Sequence, residues 1–233
     1  MCVGRAAFDG STDDSAAICE QYANTHDNVR YHRLPQNSGV AFARNFGALH
    51  ATSEFIAFLD ADDAFEPDAL AGVSACFYFR PSLHVVRLRL TPVNLSNRYA
   101  AHPEFERAWK HMAMTCGGNI AFRRSFFMAC GGFPTDELFR EFGGEDGALG
   151  IATTRLTQIG TLFDHAGVLH YCRDGMHAER LLDAVLFDKK PANITDEHLA
   201  KAEQITERIV ARVQAIQLAE TQTGVLSLNL ISE

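Results

Sequence analysis

The feature that most limits the fold is a continuous apolar segment, Phe55-Ile-Ala-Phe-Leu59, which ends abruptly in Asp60-Ala-Asp62-Asp63. An apolar run of this length is typical of a parallel strand that is covered on both faces. Helical patterns and strand patterns alternate on both sides of the segment. This alternation predicts an α/β domain with a mainly parallel sheet.

Two of the expected helices have one apolar face each. After Asn37-Ser-Gly39, the residues Phe42, Phe46 and Leu49 follow the spacing of a helix face. Residues 196–219 have the pattern of a longer amphipathic helix, which would pack either on the body of the domain or on a second subunit of a homo-oligomer. Its apolar stripe consists of Leu199, Ala202, Ile205, Ile209, Val213 and Ile216.

One expected strand has an alternating pattern. Val86, Leu88 and Leu90 alternate with Arg87 and Arg89, which predicts one apolar face and one face in water. Further strands and helices are expected at 29–34, 119–122, 125–130, 145–159 and 168–171.

Composition and charge argue against several classes of protein. The formal net charge of -8 would repel nucleic acid, and the sequence has no basic patch. No apolar run approaches the roughly 18 residues that a membrane span needs, so no transmembrane segment is expected. The six cysteines form no Cys-x-x-Cys pair, which is typical of free thiols in a reducing compartment. We therefore expect a cytoplasmic protein, with peripheral association with a membrane left open.

Asp60, Asp62 and Asp63 are the strongest chemical signal. Three carboxylates within four residues repel one another, and they follow a strand at the edge where ligands of open α/β sheets bind. A divalent cation that bridges to phosphate oxygens would relieve this repulsion, and oxygen ligands suit magnesium or manganese. The alternative is a polar turn that begins the next helix. Placement at a strand end favours the metal site.

A series of short motifs resembles the family-2 glycosyltransferases in order and spacing. The resemblance covers about residues 7 to 180 and implies the GT-A fold, a Rossmann-like sheet flanked by helices. The carboxyl half also resembles galactosyl- and N-acetylgalactosaminyl-type transferases. The motifs are Asp9-Gly-Ser-Thr-Asp13, Asn37-x-Gly39-x-x-x-Ala43-Arg-Asn45-x-Gly47, Phe55-Ile-Ala-Phe-Leu-Asp-Ala-Asp-Asp63, Gly117-Gly-Asn-Ile-Ala-Phe-Arg-Arg124, Gly131-Gly-Phe133 and Gly143-Gly-Glu-Asp146.

The resemblance implies roles for residues of the first half. Asp9 would contact the base or ribose of the donor, Arg44 would lie near the nucleotide, and Asp60 would lie near the ribose. Arg44 could instead form an ion pair that steadies its helix. Asp62 would bind the Mn2+ or Mg2+ ion that holds the diphosphate, whereas Asp63 could cap a helix.

Residues of the second half would supply the base and a further metal ligand. By the resemblance, Asp146 is the base that removes the proton from the acceptor hydroxyl, and Glu145 orients the acceptor. The alternative is that both are acidic residues favoured by the dipole at a helix N-terminus. His170 would join the metal shell, although a lone histidine at a strand end is more often structural. Trp109 could stack on an acceptor sugar or belong to the core.

The implied activity is that of an inverting, metal-dependent hexosyl- or N-acetylhexosaminyltransferase. Its donor would be a nucleoside diphosphate sugar, with UDP chosen by family frequency, and its acceptor a glycan-type hydroxyl. Residues 1–190 would form the GT-A domain, with a nucleotide-binding half at about 1–95 and an acceptor half at about 96–190. Residues 191–233 would form a C-terminal helical extension.

The sequence departs from the family pattern at its start. The first strand of the family, which is central in the sheet, is missing, and Phe8 replaces the first residue of an Asp-Asp pair. Its loss would leave unpaired backbone groups on the neighbouring strands. A fragment or misassigned start, replacement by other residues, and a degenerate protein are the three explanations, and we prefer the first.

The third explanation makes a non-catalytic nucleotide-sugar or glycan-binding module the alternative function. A nucleotidyltransferase is supported less well, because such an enzyme needs a glycine-rich, basic phosphate loop near the start that this sequence lacks.

Overall fold

The computed structural model describes residues 4–8, 13–189 and 193–222 and has an α/β fold. The strands are β1 (Gly4–Phe8), β2 (Val29–Arg33), β3 (Phe55–Ala57), β4 (Ala64–Phe65), β5 (Val85–Leu88), β6 (Leu90–Val93), β7 (Ile120–Arg123), β8 (Ile159–Leu162) and β9 (Val168–Tyr171). The helices are α1 (Ser15–Thr25), α2 (Val40–His50), α3 (Ala69–Phe79), α4 (Asn97–Ala100), α5 (Phe105–Thr115), α6 (Arg124–Cys130), α7 (Glu137–Phe142), α8 (Glu145–Leu156), α9 (His177–Phe187) and α10 (Asp196–Gln222). Within these ranges, no helix is long and apolar enough to cross a lipid bilayer.

The described strands form separate hydrogen-bonded sheets. β3, β7, β5 and β8 are neighbours in a four-stranded sheet, and β4, β9 and β6 form a three-stranded sheet. β1 and β2 form a parallel pair, which no strand ladder within the described residues joins to the four-stranded sheet.

The α/β class is confirmed, and the sheets are mixed rather than mainly parallel. β5 is parallel to β8 and β6 is parallel to β9, but β7 is antiparallel to both β3 and β5. The pattern of apolar residues did not predict this, because periodicity reports which faces are buried and not which way a strand runs. Since β7 runs opposite to β3, the loop before β7 lies beside the residues that follow β3.

The core on one side of the four-stranded sheet includes residues of α2, but not those that the sequence predicted. Phe42 is 42% exposed and Leu49 is 66% exposed. Ala41 and Ala48 are buried instead, in the same cluster as Ile56 of β3. The predicted apolar face of α2 is therefore wrong, and small side chains form its buried face.

The C-terminal helix α10 is confirmed and packs on the body of the domain, against α6 and α8. Ile205, Ile209 and Val213 of the predicted stripe are buried, whereas Leu199 and Ile216 remain 56% and 44% exposed. Packing on the body was one of the two alternatives for this helix. A homo-oligomer formed through α10 stays a prediction, as does the division of the chain at residue 190.

β5 also differs from its predicted pattern. All four of its residues are buried, including Arg87, which is only 2% exposed. The prediction that Arg87 lies on a face in water is therefore wrong, because the C-terminal end of α5 and the loop before β7 cover that face.

Candidate active site

The acidic sequence Asp60-Ala-Asp62-Asp63 forms a turn directly after β3. The backbone N–H of Asp63 donates to the carbonyl oxygen of Asp60 at 3.1 Å, and the chain then enters β4. Asp63 does not cap a helix. Its carboxylate instead accepts a hydrogen bond from the backbone N–H of Tyr171 at 3.2 Å and contacts Nδ1 of His170 at 2.8 Å. Asp63 therefore fixes the end of β9 next to the acidic turn.

Each of the three carboxylates has a basic partner. Asp60 pairs with Arg44, Asp63 with His170, and Asp62 with Arg173 at 2.9 Å. The repulsion expected from the sequence is thus partly offset by the protein itself. The pair formed by Asp62 is the weakest of the three, because its side chains are 44% and 69% exposed.

Arg44 connects the acidic turn to the N-terminus of α8. Its guanidinium bonds to Asp60 and, at 3.3 Å, to Oε1 of Glu145, and it lies over the ring of Phe133. Burial opposes the charged form of Arg44, but the adjacent carboxylates, Asp60 above all and then Asp146 and Glu145, raise its pKa above the usual value. The ion pair that the sequence offered as the alternative role of Arg44 is therefore present.

Glu145 and Asp146 form the first turn of α8, after Gly144 with a φ of 98°. Oδ2 of Asp146 accepts a hydrogen bond from the backbone N–H of Gly117 at 2.9 Å, and Oδ1 accepts one from Gly147 at 2.8 Å. Glu145 is 7% exposed. Burial, followed by the negative charge of Asp146, raises the pKa of Glu145 above its usual value.

The pair Gly117-Gly118, in the loop before β7, lies between the two acidic groups. A Cβ on Gly117 would stand 2.7 Å from Nη1 of Arg44 and 3.1 Å from Cβ of Asp146. A Cβ on Gly118 would stand 2.9 Å from Oδ2 of Asp60. A side chain at either position would displace the end of Arg44 or of Asp60, whereas glycine fits without such a shift. These distances also show that Asp60, Arg44 and Asp146 meet around this loop.

His170 offers one free donor atom to a metal. Its Nδ1 contacts Asp63, whereas its Nε2 is buried and has no hydrogen-bond partner. Burial lowers the pKa of His170, but the hydrogen bond to Asp63 and the charges of Asp63, Asp60 and Asp62 outweigh it and raise the pKa. A neutral histidine that donates from one ring nitrogen to a carboxylate keeps a lone pair on the other, which is the usual arrangement of a metal-binding histidine.

The donor atoms fit a divalent cation in part. Asp62 carries an exposed carboxylate, and the charges of Asp60 and Asp62 both act on His170. Within the ranges that the structure describes, however, no group of three or more His, Cys, Asp or Glu side chains stands close enough together to hold a metal. Asp62 and His170 are therefore two donors of suitable chemistry, and the coordination would be completed by other ligands.

Asp9 and Trp109 were also singled out in the sequence. Asp9 lies outside the described residues. Trp109 is 7% exposed, and its indole N–H donates to the carbonyl oxygen of Leu90 at 2.6 Å. Trp109 is therefore a core residue, and the suggestion that it stacks on an acceptor sugar is wrong.

Comparisons with known proteins agree with these features. Residues 7–131, just over half of the chain, match the model of the family described as "Glycosyl transferase family 2". Over 80 residues the chain is 42% identical to the minor teichoic acid biosynthesis protein GgaA of Bacillus subtilis, covering 33% of this chain and 17% of GgaA. It is 24% identical over 140 residues to a glucosyl-dolichyl phosphate glucuronosyltransferase of Haloferax volcanii, covering 55% of this chain and 44% of that protein. The chain thus spans less than half the length of these relatives.

Two solved structures share the fold. TarS 1-349 of S. aureus, in complex with UDP-GlcNAc, has a TM-score of 0.56 at 21% identity. The match covers 96% of this chain and 65% of the TarS chain. The mannosyltransferase PcManGT of Pyrobaculum calidifontis, in complex with GDP-Man and Mn2+, has a TM-score of 0.54 at 21% identity, with 94% of this chain and 65% of that one covered.

Proposed function

Because the chain belongs to glycosyl transferase family 2, we propose that it is an inverting, metal-dependent glycosyltransferase. It transfers a hexose or N-acetylhexosamine from a nucleoside diphosphate, which we take to be UDP, to a hydroxyl of a carbohydrate-type acceptor. One observation carries the proposal: Asp60, Arg44 and Asp146 meet around Gly117 and Gly118. The proximity of these three side chains supports a nucleotide site that adjoins the base.

In the proposed mechanism, Asp146 is the base. Its carboxylate accepts the proton of the acceptor hydroxyl while the hydroxyl oxygen forms a bond to the anomeric carbon of the donor. The bond from that carbon to the diphosphate breaks on the opposite face of the sugar, so the configuration is inverted. The two backbone N–H groups that donate to Asp146 hold the carboxylate in place. A carboxylate fixed in this way needs little reorganisation before it reacts.

Asp9, Arg44 and Asp60 would bind the nucleotide. Arg44 is held by two carboxylates, so it can contribute positive charge close to an anionic donor without losing its position. Glu145 would orient the acceptor. It is buried against Arg44 and lies beside Asp146 in the first turn of α8.

Asp62 and His170 would hold the Mn2+ or Mg2+ ion. When bound, the ion neutralises the charge that develops on the leaving diphosphate, so that no acidic side chain of the protein has to protonate it. Binding of the ion requires Asp62 to leave Arg173, which is a small cost because that pair is exposed. The Mn2+ bound by PcManGT supports the use of a divalent cation here.

The choice of UDP is supported by TarS, which was solved with UDP-GlcNAc, whereas PcManGT was solved with GDP-Man.

The alternative function is that of a module that binds a nucleotide sugar or a glycan without turnover. Two observations favour that alternative: β1 and β2 are separated from the four-stranded sheet, and each carboxylate of the acidic turn already has a basic partner.

Turnover distinguishes the two functions. We expect the protein to release UDP from a panel of UDP-sugars in the presence of Mn2+, and to lose this activity in EDTA and regain it with added Mn2+. Asp62→Ala should lower kcat/KM by ~100-fold or more, because it removes a ligand of the ion that stabilises the leaving group. Release can be followed in a coupled assay for UDP.

The matched control is Asp27→Asn, which changes an exposed carboxylate in the loop before β2 and should keep the activity of the parent. UDP binding without turnover of any donor by the parent, in a calorimetric titration, would establish the binding module instead.

A further inference from the structure

Arg87 is a buried arginine for which the proposed mechanism has no role. It lies in β5 between Val86 and Leu88 and is only 2% exposed to solvent. Burial lowers its pKa to about 10, while Cys116 and Asp146 act in the opposite direction. The side chain is therefore charged at neutral pH.

The hydrogen-bond partners of Arg87 are neutral. Its Nη1 donates to the carbonyl oxygen of Cys116 at 2.6 Å, to Oδ1 of Asn119 at 3.2 Å and to the carbonyl oxygen of Ala113 at 3.4 Å. In the part of the chain that the structure describes, Arg87 forms no salt bridge. A buried cation without a bonded anion costs free energy that an apolar side chain of similar size would not cost. Its presence is therefore not explained by stability alone.

Two of these partners lie at the two ends of the loop that contains Gly117. Cys116 precedes Gly117, and Asn119 ends the loop and is itself held by hydrogen bonds from its Nδ2 to the carbonyl oxygens of Leu88 at 2.7 Å and Ala113 at 2.9 Å. Arg87 thus fixes both ends of a loop whose Gly117 N–H donates to Asp146.

Arg87 also contacts the helix that carries Asp146. Gly150 lies one turn after Asp146 in α8, and a Cβ on Gly150 would stand 3.0 Å from Nη2 of Arg87. The absence of a side chain at Gly150 gives the guanidinium its place. The buried guanidinium of Arg87 therefore touches both the Cys116–Asn119 loop and α8, the helix that carries Asp146.

We propose that Arg87 is a positioning residue for the reaction. It holds the Cys116–Asn119 loop against α8, so that the Gly117 N–H stays bonded to Asp146. It also supplies positive charge on the buried side of the Asp146 carboxylate. The inference rests on the proposed function, in which Asp146 is the base. Arg44 supplies positive charge from α2, and Asp60, Glu145 and Cys116 are the other ionisable groups that act on this region.

The test compares Arg87→Met, Arg87→Lys and Arg89→Met. Arg89 is the matched control, because it is two residues away and its guanidinium bonds to Glu66 at 2.8 and 3.0 Å rather than to the loop. We expect Arg87→Met to remain folded and to lower kcat by ~100-fold, with the KM for the donor changed by less than about threefold. Arg87→Lys should recover part of kcat, because it keeps the charge. Arg89→Met should keep the kcat of the parent.

A second readout does not depend on turnover. Hydrogen exchange of the Gly117 amide, measured by NMR, should be at least tenfold faster in Arg87→Met than in the parent, and unchanged in Arg89→Met. An Arg87→Met protein with the kcat of the parent, or one with lowered kcat and unchanged Gly117 exchange, overturns the proposal. If Arg87→Met does not fold, the same two criteria apply to Arg87→Lys. If the parent shows no turnover, the proposed function fails, and the exchange of Gly117 alone decides the role of Arg87.

Discussion

Arg44 is the side chain that joins the two acidic parts of the site, since it bonds to Asp60 after β3 and to Glu145 in α8. The sequence offered two roles for it, near a nucleotide or in an ion pair. The ion pair is present, and it does not conflict with the proposed nucleotide contact, because a guanidinium has five N–H donors and can serve several acceptors at once.

Gly117 gives the first prediction for a single residue. Replacing it with alanine would put a Cβ 2.7 Å from Arg44 and 3.1 Å from the Cβ of Asp146. The end of the Arg44 side chain must move aside, and the Cβ of Asp146 must give by a few tenths of an ångström. Because a misplacement of about 1 Å can lower a rate by ~100-fold, we expect a smaller loss of kcat, about tenfold, for Gly117→Ala in the UDP-release assay.

The control for this variant is Gly47→Ala. Gly47 lies inside α2, where a Cβ would meet no atom within 4 Å, and alanine is favoured over glycine in a helix by up to ~1 kcal/mol. Gly47→Ala should therefore be as active as the parent and equally or more stable. Equal loss of activity in the two variants would contradict the role given to Gly117.

Glu145 gives a prediction about pH. Its folded-state pKa is raised above 4.5 by burial, so the folded state binds the proton more tightly than the unfolded state. The stability that this proton contributes is present below the unfolded pKa and is lost as the pH rises through the folded pKa. Glu145→Gln lacks this dependence. We therefore expect the free energy of unfolding of Glu145→Gln to increase relative to that of the parent as the pH rises above about 4.5.

Urea unfolding at a series of pH values measures this difference. Glu106→Gln, an exposed change on α5, is the control and should show no trend relative to the parent across the same pH range. A difference between Glu145→Gln and the parent that falls with rising pH would show that Glu145 is stabilised mainly as a carboxylate, by Arg44.

At the scale of whole helices and strands, the sequence located most segments but not their directions or their buried faces. The positions of β3, β9 and α10 follow from apolar runs and stripes, which record burial directly. The direction of β7 does not follow, because an apolar segment reads the same in either direction. The buried face of α2 was missed because alanine carries little hydrophobic signal, whereas the exposed Phe42 and Leu49 carry much.

The helix α10 gives a prediction at this scale. Ile209 is 6% exposed and belongs to the core beside the four-stranded sheet. Ile209→Ala would leave a cavity there and should lower the free energy of unfolding by about 3 kcal/mol. Ile216→Ala, in the same helix but 44% exposed, should lower it by less than about 1 kcal/mol. Urea denaturation measures both. Similar losses would show that the exposed part of α10 is covered in solution, as a homo-oligomer through this helix requires.

At the scale of the whole molecule, the site is assembled from segments that are far apart in the sequence. The resemblance implied a place near the ribose for Asp60 and the role of base for Asp146, and the two meet because β7 runs opposite to β3 and brings the Cys116–Asn119 loop between them. The sequence predicted the acidic side chains, which are chemically distinctive. It could not predict the Gly117 amide or Arg87 as their partners, because backbone donors have no sequence signal and arginine in a strand is usually solvent-exposed.

The most direct test of the account is the comparison of kcat for Asp146→Asn and the parent, with UDP affinity measured on the same samples in the presence of Mn2+. Asparagine has nearly the shape of aspartate but cannot take the proton of the acceptor. The account predicts unchanged UDP affinity and a kcat lowered by about 1000-fold in Asp146→Asn. An Asp146→Asn protein that transfers sugar as fast as the parent would contradict it.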